Sequence, residues 1–168
     1  MRPPRQETSD ALAELYELHF GAALRLAYLL TGEVDLAEDL VQDAFVRLIG
    51  RFGQLRSPDA FDAYLRRTVV NLSYSVFRRR RVERAYLARE AGGARQQLVV
   101  APDVEGADEL WTQLQGLVAR QRAVLVLRYY EDLSEQQTAE VLGCPVRTVK
   151  SLVARGLAAM RARQEADR

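Results

Sequence analysis

The chain has 168 residues, 48% of them hydrophobic, a formal net charge of +1 and a single cysteine. That length holds one medium domain or two small ones, and the apolar share is enough for a packed core. Cys144 alone excludes an internal disulfide or a cysteine zinc cluster, no apolar run is long enough for a bilayer span, and the near-neutral balance means that any nucleic-acid surface must be local.

The opening residues 1–9 are polar with two prolines and read as a tail. They lack the apolar core of a signal peptide, so a cytoplasmic protein without membrane insertion is expected. From about Asp10 to Leu30, the positions Leu12, Leu15, Leu18, Ala22, Leu26 and Leu29 keep helical spacing, and Thr31-Gly32 breaks it. Asp35 with Glu38 signals a new helix start. A helix from Leu36 to about Phe52 turns Leu40, Val41, Ala44, Phe45, Leu48 and Ile49 inward and carries Asp39, Gln42, Asp43 and Arg47 on another arc. For an arbitrary helix, such an acidic arc is simply solvated.

Ser57 and Pro58 form the next cap and first turn. The helix they open is expected to reach about Arg81, with Phe61, Tyr64, Leu65, Thr68, Val69, Leu72 and Val76 inside. Arg66, Arg67, Asn71, Tyr74 and the four consecutive arginines Arg78, Arg79, Arg80 and Arg81 lie along or beyond its outer arc. Rings interleaved with arginines suit single-stranded nucleic acid, where bases stack and phosphates meet guanidinium groups. A solvated basic helix end explains the same residues equally well.

Residues from about Arg84 to Ala107 mix Gly, Ala, Gln, Pro and charges without a period and make the best linker. Helices return with Leu110, Trp111, Leu114 and Leu117, then from Arg120 to Glu131 with Val124, Leu125, Leu127 and Tyr130 facing in. The stretch Ser134 to Arg161 is a helix pair around a tight turn. Ser134 and Gln137 form a capping box, Gly143 suits a left-handed helix end, and Pro145 fits the following first turn. In the last helix Val146, Val149, Val153, Gly156, Leu157 and Met160 share one stripe. Arg147, Thr148, Ser151 and Arg155 point away from it, with Lys150 on the flank. This division suits a helix that packs by one side and enters a DNA major groove by the other, although ordinary bundles contain similar pairs.

The fold expected is all-α: two small helical domains, residues 10–85 and 108–163, joined by a flexible linker over 86–107. Catalysis, cofactors and metals are not expected. The one histidine, His19, reads as structural, and no phosphate-cradling glycine loop precedes a helix.

Three stretches together resemble the extracytoplasmic function sigma factors of bacterial RNA polymerase. AEDLVQDAFVRLI (Ala37–Ile49) is similar to the core-binding segment of region two. FDAYLRRTVVNLSYSVFRRRR (Phe61–Arg81) is similar to the melting and minus-ten segment. Arg120–Arg161 is similar to region four. YLLTG followed by AEDLVQ, and the ending RGLAAMR, look closest to an actinobacterial SigE-like subgroup. The resemblance implies a sigma factor with core polymerase and promoter DNA as partners, and an anti-sigma protein as a candidate third.

It also implies residue roles. Asp39, Gln42 and Asp43 would dock on the clamp coiled coil of core polymerase through complementary charge. Asn71 would line the pocket for a flipped minus-ten base, with Arg66, Arg67, Arg78, Arg79, Arg80 and Arg81 holding phosphates nearby. Arg147, Thr148, Lys150, Ser151 and Arg155 would touch the minus-thirty-five element. The chain departs from the family pattern in three places. Arg147 stands where glycine is usual, Ala154 replaces a larger residue, and Val118-Ala119 replaces a proline-containing turn. The alternatives are a free-standing helix-turn-helix regulator that binds duplex DNA as a dimer, and an interaction protein that sequesters a partner.

Overall fold

The computed structural model describes residues 4–55, 57–90 and 107–166. Among the described residues every regular element is helical: α1 (Pro4–Thr31), α2 (Val34–Ile49), a 3-10 turn (Phe52–Gln54), α3 (Pro58–Glu90), α4 (Ala107–Leu114), α5 (Ala119–Leu125) running into a π-helix (Val126–Tyr130), α6 (Glu135–Leu142) and α7 (Val146–Ala166). None is long and apolar enough to cross a membrane. Most of the expected linker, residues 91–106, lies outside the described residues.

The first three helices enclose Leu26, Leu29, Leu40, Val41, Leu48, Leu65 and Val69, each almost without solvent contact. Fully burying a side chain of this size contributes about 1.5–3 kcal/mol, so these residues hold the unit together. Polar residues 4–9, expected as a tail, have helical backbone and begin α1. Leu18 was expected inside but is 72% exposed: its neighbours Tyr16 and His19 pack on Phe45 and Phe61, so α1 is covered at this level and Leu18 lies on the arc turned away. Ile49 likewise points outward, at the end of α2. The expected cap at Asp35 is not made. The N-cap is Glu33, whose side chain makes no capping bond, and its N–H donates to the Thr31 hydroxyl at 3.3 Å. The Ser57 cap is made: its hydroxyl accepts from Ala60 N at 3.1 Å.

In the second unit Val124, Leu127 and Val149 are the innermost side chains. Ser134 and Gln137 cap α6 reciprocally, and Gly143 ends it at φ 62, a left-handed conformation that glycine adopts without a Cβ clash. Pro145 sits one place ahead of α7, with its carbonyl accepting from Thr148 N and Val149 N. Gly156 lets α7 approach α5: a Cβ there would lie 3.0 Å from Leu125 Cδ1. Tyr130, expected inside, is 39% exposed. The π-helix has rotated it outward.

The two units are not separate bodies in this structure. Their buried residues join in one apolar cluster. The Trp111 indole of α4 lies against Gly32, where any Cβ would overlap the ring, and tilts against Tyr28 at 6.1 Å. Arg122 of α5 donates to the Leu30 carbonyl near the end of α1 at 2.7 Å and to Leu117 O at 3.0 Å. Its guanidinium also lies 4.7 Å from the Trp111 ring centroid. A cation among the last carbonyls of a helix meets the negative end of its dipole. Burial nonetheless pushes the Arg122 pKa down to about 10.

Candidate nucleic-acid interface

Successive residues of an α-helix turn by a fixed angle, so a long helix can show different neighbours on different arcs. α3, with 33 residues, has three. Phe61, Leu65, Thr68, Val69 and Leu72 face α1 and α2 and are buried. Arg66, Val70, Ser73, Tyr74 and Phe77 turn toward the second unit, and Val70 and Ser73 are almost fully covered. Arg67, Asn71, Arg78 and Arg81 occupy the third arc and are exposed.

The outer arc expected from the sequence therefore divides. Arg67, Asn71, Arg78, Arg79 and Arg81 stand free to meet a polyanion. Arg66 does not. Its Nε donates to Glu131 Oε2 at 2.8 Å and its Nη2 to Asp62 Oδ2 at 2.7 Å, and its side chain is 18% exposed. Arg80 is gripped by both oxygens of Glu33, which holds its guanidinium more basic still. Tyr74 is not on the outer arc either. Its hydroxyl is buried without a partner in bonding geometry, and burial pushes its pKa up to about 12 despite the nearby Arg120 guanidinium.

On α7, Val149, Leu152 and Gly156 are buried while Arg147, Lys150, Ser151, Ala154 and Arg155 are exposed. Thr148 is half-buried on the flank. Lys150 reaches Glu135 of α6 at 3.6 Å, a loose surface pair, so it lies in the exposed row rather than beside it. Arg155 donates from Nε to Ser151 O at 3.3 Å. That bond uses only Nε and leaves the two terminal nitrogens of this exposed guanidinium available as the fork that reads a guanine edge.

On α2, Asp39, Gln42 and Asp43 are all exposed. The helix places Val46, 67% exposed, on the same arc, with Ile49 at its margin. Sequence reasoning missed both. Periodicity assigns an apolar residue to the inside unless its position on the helix is followed closely. The α2 face is thus acidic with an apolar centre, a composition suited to a protein partner more than to DNA.

Among the described residues no group of three His, Cys, Asp or Glu side chains is placed to hold a metal ion. His19 lies beside Asp62 at 3.6 Å and packs against Phe61, a structural setting. What the arrangement offers is three surfaces: one acidic-apolar, one arginine-rich around an exposed amide, one basic on a helix-turn-helix.

Residues 15–83 match sigma-70 region 2, and residues 107–160 match sigma-70 region 4. The chain is 34% identical over 146 residues to the RNA polymerase sigma-E factor of Streptomyces coelicolor, covering 83% of this chain and 78% of that one. It is 29% identical over 165 residues to the ECF RNA polymerase sigma factor SigW of Bacillus subtilis, covering 90% and 88%. The sigma factor RpoE of Bartonella quintana, solved in complex with the anti-sigma factor NepR, superposes with a TM-score of 0.71 at 28% identity, over 95% of this chain and 99% of that one.

Proposed function

We propose a mechanism that starts from one fact: the chain belongs to the sigma-70 family of RNA polymerase sigma factors, in its extracytoplasmic function group. It binds core RNA polymerase and directs promoter-specific transcription initiation. The observation that carries this reading is the order of two different matches, region 2 then region 4, on a chain whose corresponding helices each keep a charged face in solvent.

The residue assignments extend that reading. Asp39, Gln42 and Asp43 dock α2 on a basic surface of core polymerase, steered by charge. Val46 and Ile49 supply the apolar contact that desolvates its centre. Asn71 takes one flipped base of the minus-ten element. Extrusion costs a few kcal/mol, which the pocket's hydrogen bonds must offset. Arg67, Arg78, Arg79 and Arg81 hold adjacent phosphates, and Arg66 and Arg80 join them once their carboxylate partners release. Arg147, Lys150, Ser151 and Arg155 meet the minus-thirty-five duplex, with Thr148 on a phosphate or positioning the helix.

Residues 10–85 and 108–163 are the two binding modules; α3 continues to Glu90 and α4 opens at Ala107, so the tether expected over 86–107 is confined to 91–106, and each weak contact raises the effective concentration of the other. The protein works by binding alone, without enzymatic activity, in the cytoplasm, and an anti-sigma protein is its inhibitory partner. The test is run-off transcription with core polymerase and a genomic promoter library. Discrete transcripts that require both the chain and core polymerase are expected. Sequence-specific operator binding by a dimer, with no effect on transcription by core polymerase, would replace this reading with that of a free-standing regulator.

A further inference from the structure

We propose that Glu131 is a built-in substitute for a promoter phosphate, so that closure of the second unit on the first and engagement of DNA by Arg66 exclude each other. The inference rests on the reading above that Arg66 serves the minus-ten DNA.

The geometry begins at Arg66. Its guanidinium has one edge on Asp62, a helical neighbour at i−4, and its Nε on Glu131, a residue of the other unit. Glu131 is 15% exposed and Arg66 18% exposed, so water screens the pair poorly. A carboxylate presents the same kind of anionic oxygen to a guanidinium as a phosphate does. The same nitrogens cannot hold both.

Glu131 reaches this place through an unusual piece of backbone. From Val126 to Tyr130 the helix is π, and Glu131 N donates to Val126 O, five residues back. Asp132 then takes φ 52 and Leu133 N donates to Leu127 O. A regular α-helix would have turned Glu131 to a different bearing. π-helical insertions are rare and cluster at functional positions.

Two further contacts hold the closure without touching the predicted DNA residues: Trp111 on Gly32, and Arg122 on the Leu30 carbonyl. They supply the adhesion, and Glu131 supplies the exclusion. Breaking a partly buried pair by removing one partner leaves a charge uncompensated. An incoming phosphate compensates Arg66 as Glu131 leaves, so DNA exchanges one anion for another and the closed state remains reversible.

The experiment uses the full chain, as wild type, Glu131→Ala and the isosteric Glu131→Gln. The Gln variant covers the case in which truncation loosens the helix end, and circular dichroism reports that. A fluorescein-labelled single-stranded oligonucleotide of mixed sequence is the probe, read by anisotropy, with small-angle scattering beside it. Removing the charge is expected to tighten binding at least about fivefold, the lower end of a coupling between linked sites, and to increase the radius of gyration. Adding Arg66→Gln to either variant is expected to abolish the gain. Unchanged affinity overturns the proposal whether or not the chain expands, and so does a gain that survives Arg66→Gln. Co-purification with core polymerase separates the two readings. A wild-type chain that fails to bind core polymerase refutes the sigma assignment, whereas one that binds it while Glu131 variants match wild type refutes only the phosphate substitute.

Discussion

Arg66 and Asn71 lie little more than one turn apart on α3, yet one is locked in ion pairs and the other is open to solvent. An exposed asparagine with no structural bond to lose is a clean site for substitution. Asn71→Ala should leave affinity for core polymerase within about twofold, while open-complex formation falls about tenfold or more, since a pocket that offsets a few kcal/mol of base extrusion has lost its polar contact. Permanganate footprinting of the melted strand, beside a polymerase binding assay, reads the two effects. Equal losses in both would remove the role given to Asn71. Arg155 makes the companion case on α7. Its side chain is exposed and only Nε is engaged, by Ser151 O. Arg155→Ala should cost about 1–3 kcal/mol of promoter binding, visible as a weakened upstream footprint of the holoenzyme, and transcription from a cognate promoter unaffected by the change would dismiss the contact.

At the level of single helices, most of the chain was readable in advance, and each failure has a physical cause. Ser134, Gln137 and Gly143 encode α6 and its end through bonds between near neighbours, and each bond is present. Such local chemistry needs no knowledge of the rest of the molecule. Leu18 and Ile49 went wrong because a helical period groups residues into an arc but does not fix how wide the covered arc is, and both lie at its margin. Asp35 failed as a cap because the helix already begins at Val34, which puts Asp35 inside its first turn. On α2 the exposed apolar residues, Ile49 read as inward and Val46 not assigned, bear on function. Val46 lies amid Asp39, Gln42 and Asp43 and is 67% exposed. Buried at an interface it is worth more than the charges at the rim, which mainly steer approach. Val46→Glu should therefore weaken core polymerase binding about tenfold, with little loss of helicity by circular dichroism. Asp39→Ala should act more strongly on the association rate and its salt dependence. Biosensor kinetics at two ionic strengths would distinguish them, and a Val46→Glu chain that binds normally would make the apolar centre irrelevant.

Across the whole molecule, the contacts between the two units were beyond the reach of the sequence. A period argument allows α3 one inner face, whereas the folded helix is covered on two, so Arg66 and Tyr74 were both assigned to solvent. Trp111 on Gly32 and Arg122 on Leu30 O join residues far apart in the chain, and neither carries a local signal. Tyr74 makes this junction measurable through pH. Its hydroxyl keeps its proton in the folded chain up to about pH 12, because burial disfavours the phenolate, whereas the unfolded chain releases it near the ordinary value of 10.0. The unfolded state thus binds fewer protons in that window, and stability falls as pH rises through it. The contribution is complete below pH 10 and lost by about pH 12. Tyr74→Phe removes only the loss. The variant should be at least as stable as wild type at neutral pH, since a buried hydroxyl without a partner carries a desolvation cost that phenylalanine lacks. Between pH 10 and 12 it should retain about 1–2 kcal/mol more of its stability than wild type does. Denaturant unfolding followed by circular dichroism across that range is the measurement. Parallel alkaline losses in the two proteins would mean that the Tyr74 hydroxyl meets water, and that the second unit does not cover α3 as described.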